Sequence, residues 1–64
     1  MITFTHTNGL GKRTVEIPED IRVIELREDD TPFGKQTLIS GTGVGAVWVD
    51  GTERDVRDKL KGAK

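Results

Sequence analysis

The chain contains no cysteine. That excludes disulfide staples and thiolate-zinc sites, two devices on which many domains of this size rely. Aromatics are also scarce, with one Trp, two Phe and no Tyr, and only 33% of the residues are hydrophobic. A core drawn from this stock must be compact and mostly aliphatic. The single histidine, His6, would need carboxylates to complete a transition-metal site, and none is suitably spaced around it. Asp29-Asp30 is too short a ladder of oxygen ligands for an EF-hand loop. No stretch approaches the ~20 apolar residues that span a bilayer. Met1-Ile2-Thr3-Phe4-Thr5 lacks the basic region and apolar run of a signal peptide. No membrane association is expected, and a cytoplasmic location is.

Charge of one sign is lacking too. Ten basic residues against eleven acidic ones give a formal net charge of -1. This balance does not supply the concentrated basic surface of a general nucleic-acid binder, nor the acidity of a DNA mimic. The distribution is uneven. Glu16, Glu19, Asp20, Glu25, Glu28, Asp29 and Asp30 crowd the middle, whereas Arg54, Arg57, Lys59, Lys61 and Lys64 outweigh Asp55 and Asp58 near the end. At 64 residues the chain is one domain, without internal repeat. A domain of this size buries only ~60% of the surface its unfolded chain exposes, so self-association is one route to further burial.

Ile2, Phe4 and His6 alternate with Thr3, Thr5 and Thr7, which predicts a strand over 2–7. Asn8-Gly9 can supply the positive φ angles of a tight two-residue turn, and Gly11 adds a second flexible position, which makes a loop with a bulge an equal alternative. Arg13, Val15 and Ile17 continue the alternation, predicting a second strand over 12–17 in an antiparallel hairpin. Pro18 ends it, because proline lacks the donor a ladder needs, and Pro18 to Ile21 can form one helical turn. Arg22 to Glu28 reads as a third strand, with Ile24 and Leu26 on one face and Val23 with Glu25 on the other. Glu28 to Gly34 reads as a loop, Gln36 to Ser40 as a fourth strand with Leu38 and Ile39 as its apolar pair, and Ala46 to Val49 as a fifth.

The final helix is predicted over about 53–61 with a physical reason at each end. Thr52 can accept a hydrogen bond from a first-turn amide, and Asp55 stands in capping-box position. Glu53 early and Lys59 and Lys61 late suit the helix dipole. Glu53–Arg57, Arg54–Asp58 and Asp55–Lys59 are i,i+4 pairs worth about 0.2–0.5 kcal/mol each. Gly62 is a natural stop. Only Val56 and Leu60 form an apolar stripe, so the helix packs by a narrow edge. The expected fold is a small α+β domain: about five short antiparallel strands in a curved sheet or small partly open barrel, followed by the C-terminal helix.

Gly41-Thr42-Gly43-Val44-Gly45-Ala46 matches G-x-G-x-x-A after an apolar run. A dinucleotide loop must open a helix whose amino end holds the pyrophosphate, and Val47-Trp48-Val49 is a strand instead. The acidic residue required ~20 positions on has no place either. Gly34-Lys35-Gln36 and Gly11-Lys12-Arg13 do not complete a P-loop. Ser40 has no neighbouring base, and so short a chain rarely encloses a cleft of several walls. No enzyme activity, cofactor or small-molecule substrate is expected.

What remains is contact with another macromolecule. If Val47 and Val49 fill the core, Trp48 projects from the opposite face and marks a partner surface. If Trp48 packs under the helix near Val56 and Leu60, it is core, and this second reading is the preferred one. Phe33 is a further candidate contact, or a plug at the bottom of the sheet. Edge strands of a small sheet invite pairing with a partner or a second copy. The leading expectation is a small protein-protein interaction module: an accessory factor, or a phage-type protein binding a host or virion component. Two alternatives are a small-barrel single-stranded nucleic-acid binder using Lys12, Arg13 and Lys35 around an aromatic platform, and a structural assembly subunit.

Met1-Ile2, Thr7-Asn8-Gly9, Val15-Glu16-Ile17, Asp20-Ile21-Arg22-Val23-Ile24-Glu25, Val47-Trp48-Val49 and the helix from Glu53 to Leu60 follow one another in a recognisable order. In this the chain resembles the small flagellar and swarming-motility proteins called FlbD-like. Gly11-Lys12-Arg13 lengthens the first hairpin relative to that pattern, and Gly41 to Gly45 replaces a tighter turn. The resemblance implies a motility accessory role through protein contacts and brings no catalytic residues. A carbon-storage-regulator-like RNA binder shares the order of strands then helix. There, however, arginines would be wanted where Thr3 and Thr5 stand.

Overall fold

The computed structural model describes residues 1–62. Strands β1 (Ile2–Asn8), β2 (Gly11–Ile17), β3 (Val23–Thr31), β4 (Gly34–Gly41) and β5 (Gly45–Asp50) precede helix α1 (Glu53–Gly62). All pairings are antiparallel, and they form two sheets, β1-β2 and β3-β4-β5, that do not close into a barrel. The expected α+β class and C-terminal helix are therefore present, as a split pair of sheets.

The first hairpin forms where the alternation places it, with Ile2 opposite Ile17, Phe4 opposite Val15 and His6 opposite Arg13. Its turn is the two-residue one, Gly9-Leu10, and takes its positive φ at the second flexible position and not at Asn8-Gly9. Gly9 has no positive φ; Gly11 does, at 119°, and the Asn8 side chain accepts a hydrogen bond from Leu10 N at 2.8 Å. Pro18 to Ile21 is a turn closed by Ile21 N donating to Pro18 O at 3.2 Å, not a helical segment.

β3 departs most from its predicted form. Val23 faces Gly41 and Glu25 faces Ser40, so Ile24 is an extra, bulged residue. A bulge breaks strict alternation. Ile24 is 76% exposed, while Leu26 lies opposite Ile39 on the inner face, so the two do not share a buried face. β3 also continues through the acidic segment to Thr31, and Pro32-Phe33 alone makes the turn. Thr31 stabilises it by accepting from Phe33 N at 3.1 Å and donating to Gly34 O at 2.7 Å.

Alternation assigns the two faces of the three-stranded sheet. Across the strands, Leu26–Ile39–Val47 and Glu28–Thr37–Val49 form rows on the inner face. Ile2, Phe4 and Ile17 of the hairpin, with Val56 and Leu60 of α1, close over that face. Buried Thr37 is satisfied by donating to Gly51 O at 3.0 Å. The helix starts as predicted, with Asp55 N donating to Thr52 Oγ1 at 3.1 Å. Its capping is reinforced from β3, where Glu28 accepts from Glu53 N at 2.9 Å. Of the three i,i+4 pairs, Glu53–Arg57 forms at 3.4 Å. Lys59 turns instead to Thr3 O and lies 4.8 Å from the centre of the Phe4 ring.

Gly41 lets the β2–β3 connection approach the sheet. A Cβ there would sit 2.8 Å from Ile21 Cδ1 and 2.9 Å from the Arg22 carbonyl oxygen. The side chain can yield, but the backbone is held, because Arg22 O also accepts from Thr42 N at 3.1 Å. Gly41→Ala should cost about 1–3 kcal/mol through overpacking. Urea unfolding would show the midpoint falling, and an unchanged midpoint would contradict this packing.

Candidate functional site

The outward face of the three-stranded sheet is the surface least explained by packing. Its central row is Arg27–Leu38–Trp48, flanked by Glu25–Ser40–Ala46 on one side and Asp29–Gln36–Asp50 on the other. Val47 is half-buried and Val49 fully buried on the inner face, which forces Trp48 outward. Trp48 is 36% exposed and lies opposite half-buried Leu38. It does not pack under α1 with Val56 and Leu60, so the preferred reading of the sequence is corrected: single-residue alternation on β5 sends it the other way.

One end of this face is closed by β1. Asp50 accepts hydrogen bonds from Thr5 Oγ1 at 3.0 Å, Thr7 N at 3.0 Å, Thr7 Oγ1 at 2.7 Å and Gln36 Nε2 at 3.0 Å. Gln36, 4% exposed, also donates to Thr7 O at 2.7 Å. Burial works to raise the Asp50 pKa, but the hydrogen bonds from Thr7, Thr5 and Gln36 together outweigh it and hold the carboxyl below its ordinary value of 3.8. This polar node ties the hairpin to the larger sheet and ends the apolar surface at Trp48 and Leu38. The threonines at 5 and 7 read simply as the polar half of an alternating strand, so sequence reasoning missed them; only a pairing register between distant segments would have revealed their role.

The other candidate contacts do not converge on Trp48. Phe33 is 50% exposed at the tip of the β3–β4 hairpin. Four residues of strand, ~13 Å, separate Gly34 beside it from Leu38. Lys35 is held by Glu28 at 3.3 Å and Asp30 at 3.4 Å, carboxylates that raise its pKa. Lys12 shares a face of the first hairpin with Thr7, and Arg13 shares the opposite face with His6. The three cations of the nucleic-acid reading thus lie on separate surfaces, and one of them is neutralised locally.

A second apolar feature lies where the start of β3 meets α1. An open groove of about 580 Å³ runs between the end of α1 and the β2–β3 connection, with Ile2, Ile21, Leu26 and Leu60 along it. Its rim mixes Arg22, Arg57 and Lys61 with Glu19 and Glu25. Glu19 is engaged by the N-terminal amine at 2.9 Å, which lowers the carboxyl pKa, and Arg57 by Glu53. His6 is half-buried, with Nδ1 out of contact with solvent and without a protein hydrogen-bond partner. No group of three or more His, Cys, Asp or Glu that could hold a metal occurs among the described residues. No helix among them is long and apolar enough to cross a membrane. Comparison with protein-family models, with curated proteins and with solved structures finds no match to this chain.

Proposed function

We propose that this chain is a small protein-interaction module and that the outward face of β3-β4-β5 is its recognition surface. The observation that carries this is Trp48 beside Leu38 on a sheet face that neither the helix nor the hairpin core covers. Tryptophan is enriched among residues that dominate binding energy, because a large rigid ring loses little entropy when a partner covers it. Arg27 in the same row and Glu25 beside it give the apolar centre a polar rim of both signs, which suits a protein partner better than a phosphate backbone. An accessory role in motility, as the family resemblance implies, and a phage-type role against a host or virion component are two settings for the same contact.

The reading is tested by capture from the native host with wild-type chain and with Trp48→Ala. The variant should keep its circular dichroism and lose a specific partner by at least about ten-fold, as expected for a hot-spot truncation of ~1.4 kcal/mol or more. Loss of folding would instead assign Trp48 to the core. Capture of the same proteins by both chains would remove this face from the function.

A further inference from the structure

Each sheet has two edge strands; β1 and β5 meet across the Asp50 hydrogen bonds, which leaves the edges of β2 and β3. They are built in opposite ways. β3 carries Glu25, Glu28, Asp29 and Asp30 against one Arg27, and it is bulged at Ile24. Like charge and a bulge are the usual means by which an edge is kept from pairing, and two copies of this strand would repel. β2 has no bulge, and its charges, Lys12, Arg13 and Glu16, are of both signs. It runs without a register shift from Gly11 to Ile17, and its residues 11–14 are all exposed.

The sequence of β2 is also complementary to itself. Laid antiparallel on a second copy with Thr14 opposite Thr14, Lys12 falls opposite Glu16 and Arg13 opposite Val15, each twice. Lys12, Thr14 and Glu16 occupy one face, because they lie opposite Thr7, Thr5 and Thr3 of β1. Both Lys12–Glu16 couples would therefore meet as directly opposed cross-strand pairs, the geometry in which unlike charges stabilise a sheet. Neither residue has an ion-pair partner within the chain among the described residues. On the other face the Arg13 stem can lie over half-buried Val15 of the second copy while its guanidinium stays in water. A shift of two residues either way loses this match: it sets Arg13 or Val15 opposite itself and leaves at least one charge of each couple opposite an uncharged residue.

We propose that two copies of this chain associate through β2, antiparallel about a two-fold axis at Thr14, forming a continuous four-stranded sheet β1-β2-β2-β1. The symmetry is closed, so association stops at the dimer. A single strand pair buries less than the ~800 Å² per partner of a standard interface, so the dimer belongs to the weak class. β2 is not part of the sheet that carries Trp48, so this pairing stands independently of the recognition face.

Sedimentation equilibrium of the whole chain, up to about 1 mM, reads the association directly. Wild type should dimerise. Lys12→Glu places acid opposite acid and Glu16→Lys places base opposite base, so each alone should weaken the dimer by about ten-fold or more. Both sites are exposed, and circular dichroism should show both variants folded. The sharpest result comes from mixing them. Lys12→Glu chains with Glu16→Lys chains restore both opposed couples and should form a 1:1 heterodimer, and the double variant should again self-associate. A wild-type chain that stays monomeric throughout would overturn the proposal. So would a dimer indifferent to both reversals, or a pair of variants that fail to rescue each other.

Discussion

Asp50→Ala should lower the midpoint of thermal unfolding by about 15 °C, a loss of about 3 kcal/mol at the 4–8 °C per kcal/mol usual for so short a chain. The reason is asymmetry. Alanine removes one acceptor group but leaves several donors behind: the Thr7 amide, two threonine hydroxyls and one Gln36 amide proton. Gln36 is buried, and a buried donor without a partner keeps its full desolvation penalty. The same node joins the hairpin to the three-stranded sheet, so its loss loosens the contact between the two halves of the fold.

The pH dependence has a definite sign. The folded-state pKa of Asp50 lies below its ordinary value of 3.8, so as acid is added the unfolded chain takes up its proton first. The stabilisation from this group is complete above about pH 5 and is lost as the pH falls through the ordinary value toward the depressed one. Acid unfolding followed by circular dichroism should therefore be shallower in Asp50→Ala than in wild type over that window. Glu19 and Glu28 are also lowered, and their contribution is common to both chains. Identical acid profiles would contradict the node.

Ile39→Ala should be of similar size or larger, at about 3–4 kcal/mol, because Ile39 is fully buried between Leu26 and Val47 at the centre of the inner face. A chain of this length has a total stability of about 3–10 kcal/mol, so much of the variant would be unfolded at room temperature. Leu38→Ala, one residue along, is the control. It removes the same kind of side chain from the outward face and should cost no more than about 1 kcal/mol. Urea titrations with a large midpoint shift for Ile39 and a small one for Leu38 would support the assignment of faces. Equal shifts would contradict it.

The parts of the fold that could be read in advance are those governed by local chemistry. Alternation in Ile2–Ile17 defines its hairpin, and Thr52 starts the helix, because each effect acts within a few residues; the stop expected at Gly62 falls at the limit of the described residues, where Gly62 is still helical. β3 resisted for the same reason. Glu28, Asp29 and Asp30 have loop-forming composition, yet they extend a strand because β4 offers a continuous antiparallel partner and Lys35 compensates Glu28 and Asp30. The bulge at Ile24 adjoins the approach of Ile21 and Arg22 to Gly41, a tertiary contact that alternation does not register. For the candidate site, Trp48 was singled out by residue type alone. Its direction depended on whether Val47 and Val49 or Trp48 itself met the helix, and that is decided by the pairing of β4 with β5.

The single tryptophan makes the central claim directly measurable. Iodide quenching of its emission, in the free chain and in the chain bound to its captured partner, reports whether Trp48 is open and then covered. The recognition face predicts efficient quenching in the free chain and protection in the complex. A tryptophan already shielded in the free chain, or equally quenched in both, would contradict it.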